Sequence, residues 1–158
     1  MIYILVALKA EAQAFVDKYK LLNYKNEWLH VVISGIGSEN MYQSTLHVVN
    51  QMAKNDKLVN VGICGACHNY EIGQLIDGFK ETITCVDFEI SDKDKYNIVD
   101  MESDGFKKAS LHVESKYMYK IVSDHFEPST VTKDKAKKLI FDKIDEILNL
   151  VQNDKDNI

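Results

Sequence analysis

Three acidic residues, Glu11, Glu102 and Asp124, stand where predicted strands give way to turns or helices. In an open α/β sheet, ligands bind at the carboxyl ends of the strands, so three acids at such ends can converge on one cleft. Carboxyl groups gathered in a cleft can act as a general acid, a general base or a hydrogen-bond acceptor. A single acid at a loop junction is more commonly a capping or surface residue. The hypothesis of a site therefore depends on all three meeting.

The elements that must position these acids alternate between short apolar runs and helical periodicity. Strands are predicted at 2–8, 28–34, 58–64, 81–90 and 116–122, and helices at 10–19, 39–54, 102–111 and 132–151. This alternation is typical of a mostly parallel sheet covered by helices. The polar tail at 152–158 is expected to fray. The predicted fold class is α/β, a three-layer αβα arrangement with a mixed, mostly parallel sheet, forming one domain over 1–158.

Composition narrows the classes of function. The chain has 158 residues, of which 46% are hydrophobic and 27% charged, with a formal charge of -5. These values suit one globular domain, and the lysines are spread along the chain without a basic stripe for a nucleic acid backbone. No apolar run approaches the roughly 20 residues that span a bilayer, and 2–8 is too short for a signal peptide. We therefore expect a cytoplasmic protein with no membrane or nucleic acid partner, whose three cysteines are reduced thiols.

Six short motifs accompany the predicted strand ends. They are ALKAEA (7–12), SGIGSENM (34–41), NVGICGACHNYEIGQLI (60–76), TCVDFEI (84–90), VDMES (99–103) and IVSDHFE (121–127). In this order the motifs resemble those of the nucleoside phosphorylase and nucleosidase superfamily, and most closely the methylthioadenosine/S-adenosylhomocysteine nucleosidases. Between Ile76 and Thr82 the chain lacks a long segment that the superfamily usually carries, so it is similar to a shortened member.

The resemblance implies two catalytic residues. Glu11 matches the acid that holds or deprotonates the attacking water, and Asp124 matches the acid that protonates the purine ring as the base departs. Ser123 matches the hydrogen-bonding neighbour of that acid. These roles suit the reaction, because cleavage of an N-ribosidic bond develops positive charge on the sugar and negative charge on the base.

The resemblance also implies a set of substrate-binding residues. Glu102 matches the acid that accepts hydrogen bonds from the ribose hydroxyls, and Met101 packs against the sugar. Phe88 is similar to the aromatic residue under the base, and Gly65 lets the backbone approach the ligand. Ile63 departs from the pattern, because the superfamily commonly has a small hydroxyl residue next to the ribose at that position.

The choice between hydrolysis and phosphorolysis depends on the phosphate site. Phosphorylases of this superfamily carry an arginine where this chain has Asn60, and the phosphate elements near the first strand are replaced by 9–11. A dianion without an arginine would be held poorly, so water is the favoured nucleophile. The predicted function is an N-ribosyl hydrolase acting on a purine nucleoside, in a homodimer without a cofactor. The alternative is a non-catalytic nucleoside-binding protein of the same fold.

The sequence CGACH, at 64–68, suggests other chemistry, because it satisfies the haem attachment pattern C-x-x-C-H. Covalent haem implies export, and no export signal is present. A zinc site using Cys64, Cys67 and His68 would lack a recognisable fourth ligand. The same residues fit the turn at a strand end, which is the favoured interpretation. Among the other histidines, His125 is a candidate for lining the site because it follows Asp124.

Overall fold

A mixed sheet lies at the centre of the computed structural model, which describes residues 1–154. Within that part of the chain there are seven strands, β1 (Ile2–Val6), β2 (Leu29–Ile33), β3 (Lys57–Ala66), β4 (Leu75–Asp77), β5 (Thr84–Cys85), β6 (Ile98–Asp100) and β7 (Lys116–Asp124). The helices are α1 (Lys9–Tyr19), α2 (Ser38–Gln51), α3 (Ser103–Ala109), α4 (Lys133–Phe141) and α5 (Ile144–Gln152). Each of these helices is too short or too polar to cross a membrane.

The sheet is built around β3, the longest strand. β1 pairs with β2 and with the first half of β3, and β7 runs along the other edge of β3, all in parallel. β6 pairs with the end of β3 and β4 pairs with β7, both antiparallel, while β5 adds to β6 in parallel. The sheet is therefore mixed and mostly parallel, as predicted. The carboxyl ends of β1, β3 and β7 lie at one edge of it.

Alternating side chains on the strands bury two apolar layers. On β1, Ile2, Ile4 and Val6 join the cluster formed with α1, α4 and α5. Leu5 points the other way, into the cluster that contains residues of α2 and α3. This period-two alternation places helices on both faces of the sheet. The three-layer αβα prediction is confirmed.

Two predicted elements were wrong. The strand predicted at 81–90 reduces to Thr84–Cys85, because its partner β6 has only three residues and the chain then bends away. The helix predicted at 132–151 is two helices, separated at Asp142 and Lys143, where the Lys143 amide donates to the Ile140 carbonyl in a tighter turn. Both helices pack against the same apolar cluster, so apolar residues recur at helical spacing on both sides of the break. The sequence pattern therefore does not show where the first helix ends.

Two further differences concern short segments. β4 and β6 were not predicted, although each contains an apolar pair, Leu75 and Ile76 in β4 and Ile98 and Val99 in β6. Residues 78–83, where the resemblance implies a deletion, make turns and an extended link between β4 and β5. The predicted polar tail starts inside α5, and 155–158 lie outside the described residues.

Gly105 lets α3 pack directly on the start of α2. A Cβ atom at Gly105 would lie 1.9 Å from the Ser38 carbonyl oxygen and 2.9 Å from the Tyr42 amide nitrogen. Both are backbone atoms, so a rotamer change cannot relieve the contact. We expect Gly105→Ala to lower the free energy of unfolding by about 3 kcal/mol or more, measured by urea denaturation.

The matched control for this substitution is Asp104→Ala, on the exposed side of the same helix. A change at such a surface position is expected to stay within about 0.5 kcal/mol. Equal unfolding midpoints for Gly105→Ala and Asp104→Ala would contradict the packing argument.

Candidate active site

A cavity of about 240 Å³ opens at the carboxyl ends of β1, β3, β6 and β7. The structure brings together in its lining all the residues predicted for the site, namely Glu11, Ile63, Gly65, Phe88, Met101, Glu102, Ser123 and Asp124. Most of the remaining lining is apolar. The three acids therefore share one cleft, although they are separated by up to 113 positions in the sequence.

Glu11 lies in the first turn of α1, and three backbone amides hold its carboxylate. Its Oε1 accepts hydrogen bonds from Ala7 N (3.1 Å) and Leu8 N (2.9 Å), and its Oε2 accepts one from Ile63 N (3.0 Å). Burial raises the pKa of Glu11 to about 7, against the lowering effect of the Leu8 amide, Lys120 and the Ile63 amide. A buried carboxyl group with a pKa near 7 can accept and return a proton at neutral pH.

Glu102 follows β6 and precedes α3, and its side chain reaches the loop between β2 and α2. Its Oε2 accepts a hydrogen bond from Gly37 N at 2.8 Å. Gly37 has φ 103°, a conformation that L residues with a side chain rarely adopt. Burial raises the pKa of Glu102, while Lys120 and the Gly37 amide oppose that rise. The preceding residue, Met101, is half-buried and lines the same wall.

Asp124 ends β7 and is held on both carboxylate oxygens. Its Oδ1 lies 2.5 Å from the Ser123 hydroxyl, which is also 3.2 Å from the Cys64 carbonyl oxygen. Its Oδ2 accepts a hydrogen bond from Glu127 N at 2.8 Å. Only 6% of Asp124 is exposed, and that part faces the cavity. The side chain is thus fixed in orientation at the wall of the cleft.

Lys120 is a functional candidate that the sequence reasoning missed. Its Nζ lies 2.9 Å from Asp100 Oδ2, and the exposed fractions of the two side chains are 1% and 0%. Burial lowers the pKa of Lys120, but the carboxylates of Asp100, Glu102 and Glu11 raise it by more, so the pKa is raised overall and the ammonium group stays charged. The sequence feature that could have identified Lys120 is its position between Met118 and Val122, two residues from each, on a face of β7 that is otherwise apolar.

Asp100 therefore has a defined partner. Its carboxylate forms the buried ion pair with Lys120 and accepts a hydrogen bond from the Ser103 hydroxyl. Removing one partner of such a pair leaves an uncompensated buried charge. Gly62 on β3 leaves room for the side chains of Glu11 and Lys120 above the sheet. A Cβ atom at Gly62 would lie 3.2 Å from Glu11 Oε2 and 3.3 Å from Lys120 Nζ.

The remaining predicted binding residues differ in what they present to the cavity. Phe88 is 78% exposed at the mouth, so its predicted place under a base stays a prediction. Ile63 lines the cavity and presents its backbone amide to Glu11, while its side chain packs against the apolar cluster formed with α1, α4 and α5. Gly65 permits close packing, because a Cβ there would lie 3.4 Å from both the Phe126 ring and a Val99 methyl group.

The histidine and cysteine residues of the CGACH segment lie beside the cavity. The His68 and His125 rings stack with centroids 4.1 Å apart, and His125 Nδ1 lies 3.0 Å from the Ala66 carbonyl oxygen. His125 does not line the cavity. Cys64 does, and burial raises the pKa of its thiol. Within residues 1–154, no group of three or more His, Cys, Asp or Glu side chains is arranged to hold a metal ion.

Solved structures with the same arrangement of elements were found by structural comparison. The 5'-methylthioadenosine/S-adenosylhomocysteine nucleosidase of Neisseria meningitidis, solved in complex with methylthio-immucillin-A, superposes with a TM-score of 0.73 at 11% identity, over 96% of this chain and 97% of that one. The 5'-methylthioadenosine nucleosidase of Arabidopsis thaliana gives 0.71 at 14%, over 98% and 96%. The chain has the nucleosidase fold.

The same fold is also found in a futalosine hydrolase. The futalosine hydrolase of Helicobacter pylori superposes on this chain with a TM-score of 0.68 at 14% identity, over 92% of this chain and 97% of that one. No protein-family model matches the sequence, and no curated protein sequence matches it either. At such low identities the comparisons establish the nucleosidase fold, and the function must be argued from the cavity.

Proposed function

We propose that the protein is an N-ribosyl hydrolase that cleaves the glycosidic bond of a purine nucleoside such as methylthioadenosine or S-adenosylhomocysteine. The observation that carries the proposal is that Glu11, Glu102 and Asp124 line one cavity of about 240 Å³ at the carboxyl ends of the strands. This is the set of groups that the reaction needs: a base for water, an acceptor for the sugar hydroxyls and an acid for the leaving base.

The reaction is assigned to these groups as follows. The bond between the sugar carbon C1' and the purine nitrogen breaks, its electron pair goes to the base, and Asp124, as the general acid, gives the base a proton. A water molecule adds its oxygen to C1' while Glu11 takes one of its protons. Glu102 accepts hydrogen bonds from the ribose hydroxyls, and its own orientation is fixed by the Gly37 amide. Such fixed acceptors keep the sugar in place between the water and the acid.

The electrostatics of the cavity support hydrolysis. Carboxylates of Glu11, Glu102 and Asp100 surround the side where positive charge develops on the sugar, and Lys120 balances only part of their charge. The sequence contains no arginine, and no lysine is among the described residues that line the cavity. A phosphate dianion would therefore meet carboxylates without a bidentate partner, which disfavours phosphorolysis.

The rest of the cavity suits an apolar ligand with few polar groups. Its walls are lined by the apolar residues Leu8, Ile36, Ile63, Val86, Phe88, Ile90, Val99 and Val131. A lining of this kind fits a flat purine and the apolar part of a substituent at the 5' position. These features support a 5'-modified purine nucleoside as the substrate class.

The test is incubation of the purified protein with methylthioadenosine, S-adenosylhomocysteine, inosine and futalosine, with the free base measured by chromatography. Release of base without added phosphate is expected from at least one of them. Binding by calorimetry without release from any of the four would favour the alternative, a nucleoside-binding protein that does not catalyse the reaction. The absence of both release and binding would contradict both readings.

Three features expected from the sequence stay predictions. They are a homodimer, a cytoplasmic location and a single-domain organisation. For the homodimer, the mouth of the cavity carries Ile36 and Phe88, which are 55% and 78% exposed. A second copy of the chain would add a wall to the cleft at this place.

A further inference from the structure

The segment 86–97 lines the cavity with Val86 and residues 88–90, and it is anchored by backbone hydrogen bonds near its two ends. At the start, Val86 N donates to the Asp100 carbonyl at 2.8 Å, and at the end, Cys67 N donates to the Asn97 carbonyl at 2.8 Å. Between these anchors, Phe88 and other side chains line the cavity. What holds the middle of the segment therefore determines how closed the cavity is.

In the middle of the segment, Lys93 reaches across to the turn after β7. Its Nζ lies 2.5 Å from Glu127 Oε1, and both side chains are about half exposed. The contact lowers the pKa of Glu127, with smaller contributions from the neighbouring His125 and His68 rings. The ion pair thus joins the segment over the cavity to the stretch of chain that follows Asp124.

That stretch holds the carboxylate of Asp124 directly. Glu127 N donates to Asp124 Oδ2 at 2.8 Å, so the residue that pairs with Lys93 through its side chain also fixes Asp124 through its backbone. Between them, Phe126 has φ 61°, a left-handed conformation that is unfavourable for a bulky residue. The buried Phe126 ring holds the turn from inside the protein, and the Lys93–Glu127 ion pair holds it at the surface.

We propose that the Lys93–Glu127 ion pair is a strap that holds segment 86–97 over the cavity and keeps Asp124 in its orientation. In this scheme Lys93 and Glu127 are positioning residues, and a ligand enters when the strap opens. The role of Asp124 as an acid rests on the proposed function, whereas the closure of the segment does not.

The first test measures closure without relying on activity. Chymotrypsin cleavage after Phe88 under native conditions reports how often the segment opens. A surface ion pair typically changes such an equilibrium by up to about five-fold, and charge reversal adds repulsion. We expect Lys93→Glu and Glu127→Lys each to speed cleavage by about three- to ten-fold, and the double variant to return to within about two-fold of the wild-type rate. High salt should reduce the differences.

Lys95→Glu is the matched control, because it makes the same charge change in the same segment at a lysine that lies over the Tyr96 ring. The Lys95→Glu variant should be cleaved at a rate within about two-fold of the wild-type rate. Equal rates for Lys93→Glu and Lys95→Glu would overturn the proposal, as would a double variant that cleaves as fast as the single ones.

The second test asks whether the strap positions Asp124. On a nucleoside that the wild type hydrolyses, each single reversal should lower kcat, and the double variant should recover it. Rapid cleavage of the single variants with unchanged kcat would overturn the positioning of Asp124. If the wild type releases no base from any nucleoside, the proposed function is wrong, and the cleavage pattern alone decides whether the strap exists.

Discussion

Replacing Glu11 by glutamine is expected to lower kcat for base release by about 10²- to 10⁴-fold, because the general base would be lost. Three backbone amides orient the carboxylate and face its two oxygens. A glutamine can accept on only one side there, and it cannot take a proton from water. Initial rates of base release at saturating nucleoside measure the effect.

The matched control for Glu11→Gln is Glu89→Gln, the same change at another carboxyl group that lines the cavity. Glu89 is exposed at the mouth, so its variant is expected to keep kcat within about three-fold of wild type. A Glu11→Gln variant that hydrolyses as fast as Glu89→Gln would exclude Glu11 as the base.

The raised pKa of Glu11 also sets a pH dependence. Glu11 acts as a base only when ionised, and burial raises its pKa to about 7. The ionised fraction of Glu11 therefore increases with pH. The ratio of kcat/KM for wild type to kcat/KM for Glu11→Gln, in which the contributions of all other groups cancel, should rise between about pH 6 and pH 8 with a midpoint near 7. A ratio that is flat or falling over that range would contradict the assignment.

Replacing Asp124 by asparagine should lower kcat by a similar factor, about 10²- to 10⁴-fold, for a different reason. Asparagine has nearly the same shape and can keep the contact with the Ser123 hydroxyl or the Glu127 amide, but it cannot give a proton to the leaving base. Binding should therefore survive. We expect the affinity for a C-nucleoside, whose glycosidic bond cannot be hydrolysed, to stay within about ten-fold of wild type by calorimetry.

The separation of kcat from binding is what distinguishes Asp124 as an acid from Asp124 as a structural residue. Asp87→Asn makes the same change at an exposed position in the segment over the cavity and should leave both quantities near wild type. Loss of binding together with turnover in Asp124→Asn, at unchanged thermal stability, would point to a binding role. Full activity would contradict the proposed mechanism.

Much of the fold could be predicted because burial leaves a regular trace in the sequence. The apolar runs of β1, β3 and β7 were recognised because both faces of these strands are covered, which requires nearly continuous apolar residues. Predictions were wrong where pairing or bending decides the outcome. The strand predicted at 81–90 is cut short by its three-residue partner β6, and the helix predicted at 132–151 turns at Asp142 without a Gly or Pro.

The site divides in the same way. Glu11, Glu102 and Asp124 could be proposed from the sequence because Glu11 and Asp124 follow predicted strands, Glu102 opens a predicted helix, and each stands within a motif. Lys120 could not, because its role depends on the register that sets it opposite Gly62 on β3 and on the approach of Asp100 from β6. The contact between Lys93 and Glu127 joins residues 34 positions apart in two irregular segments.

By itself, the sequence determined the alternation of strands and helices and the acids at the strand ends, because apolar period and position along the chain are local properties. Only the tertiary structure decided that these acids share one cavity, that a buried lysine balances part of their charge, and that an ion pair joins segment 86–97 to the turn after β7. The reason is physical: charge interactions and burial depend on distance in space, and the sheet register brings together side chains that are far apart along the chain.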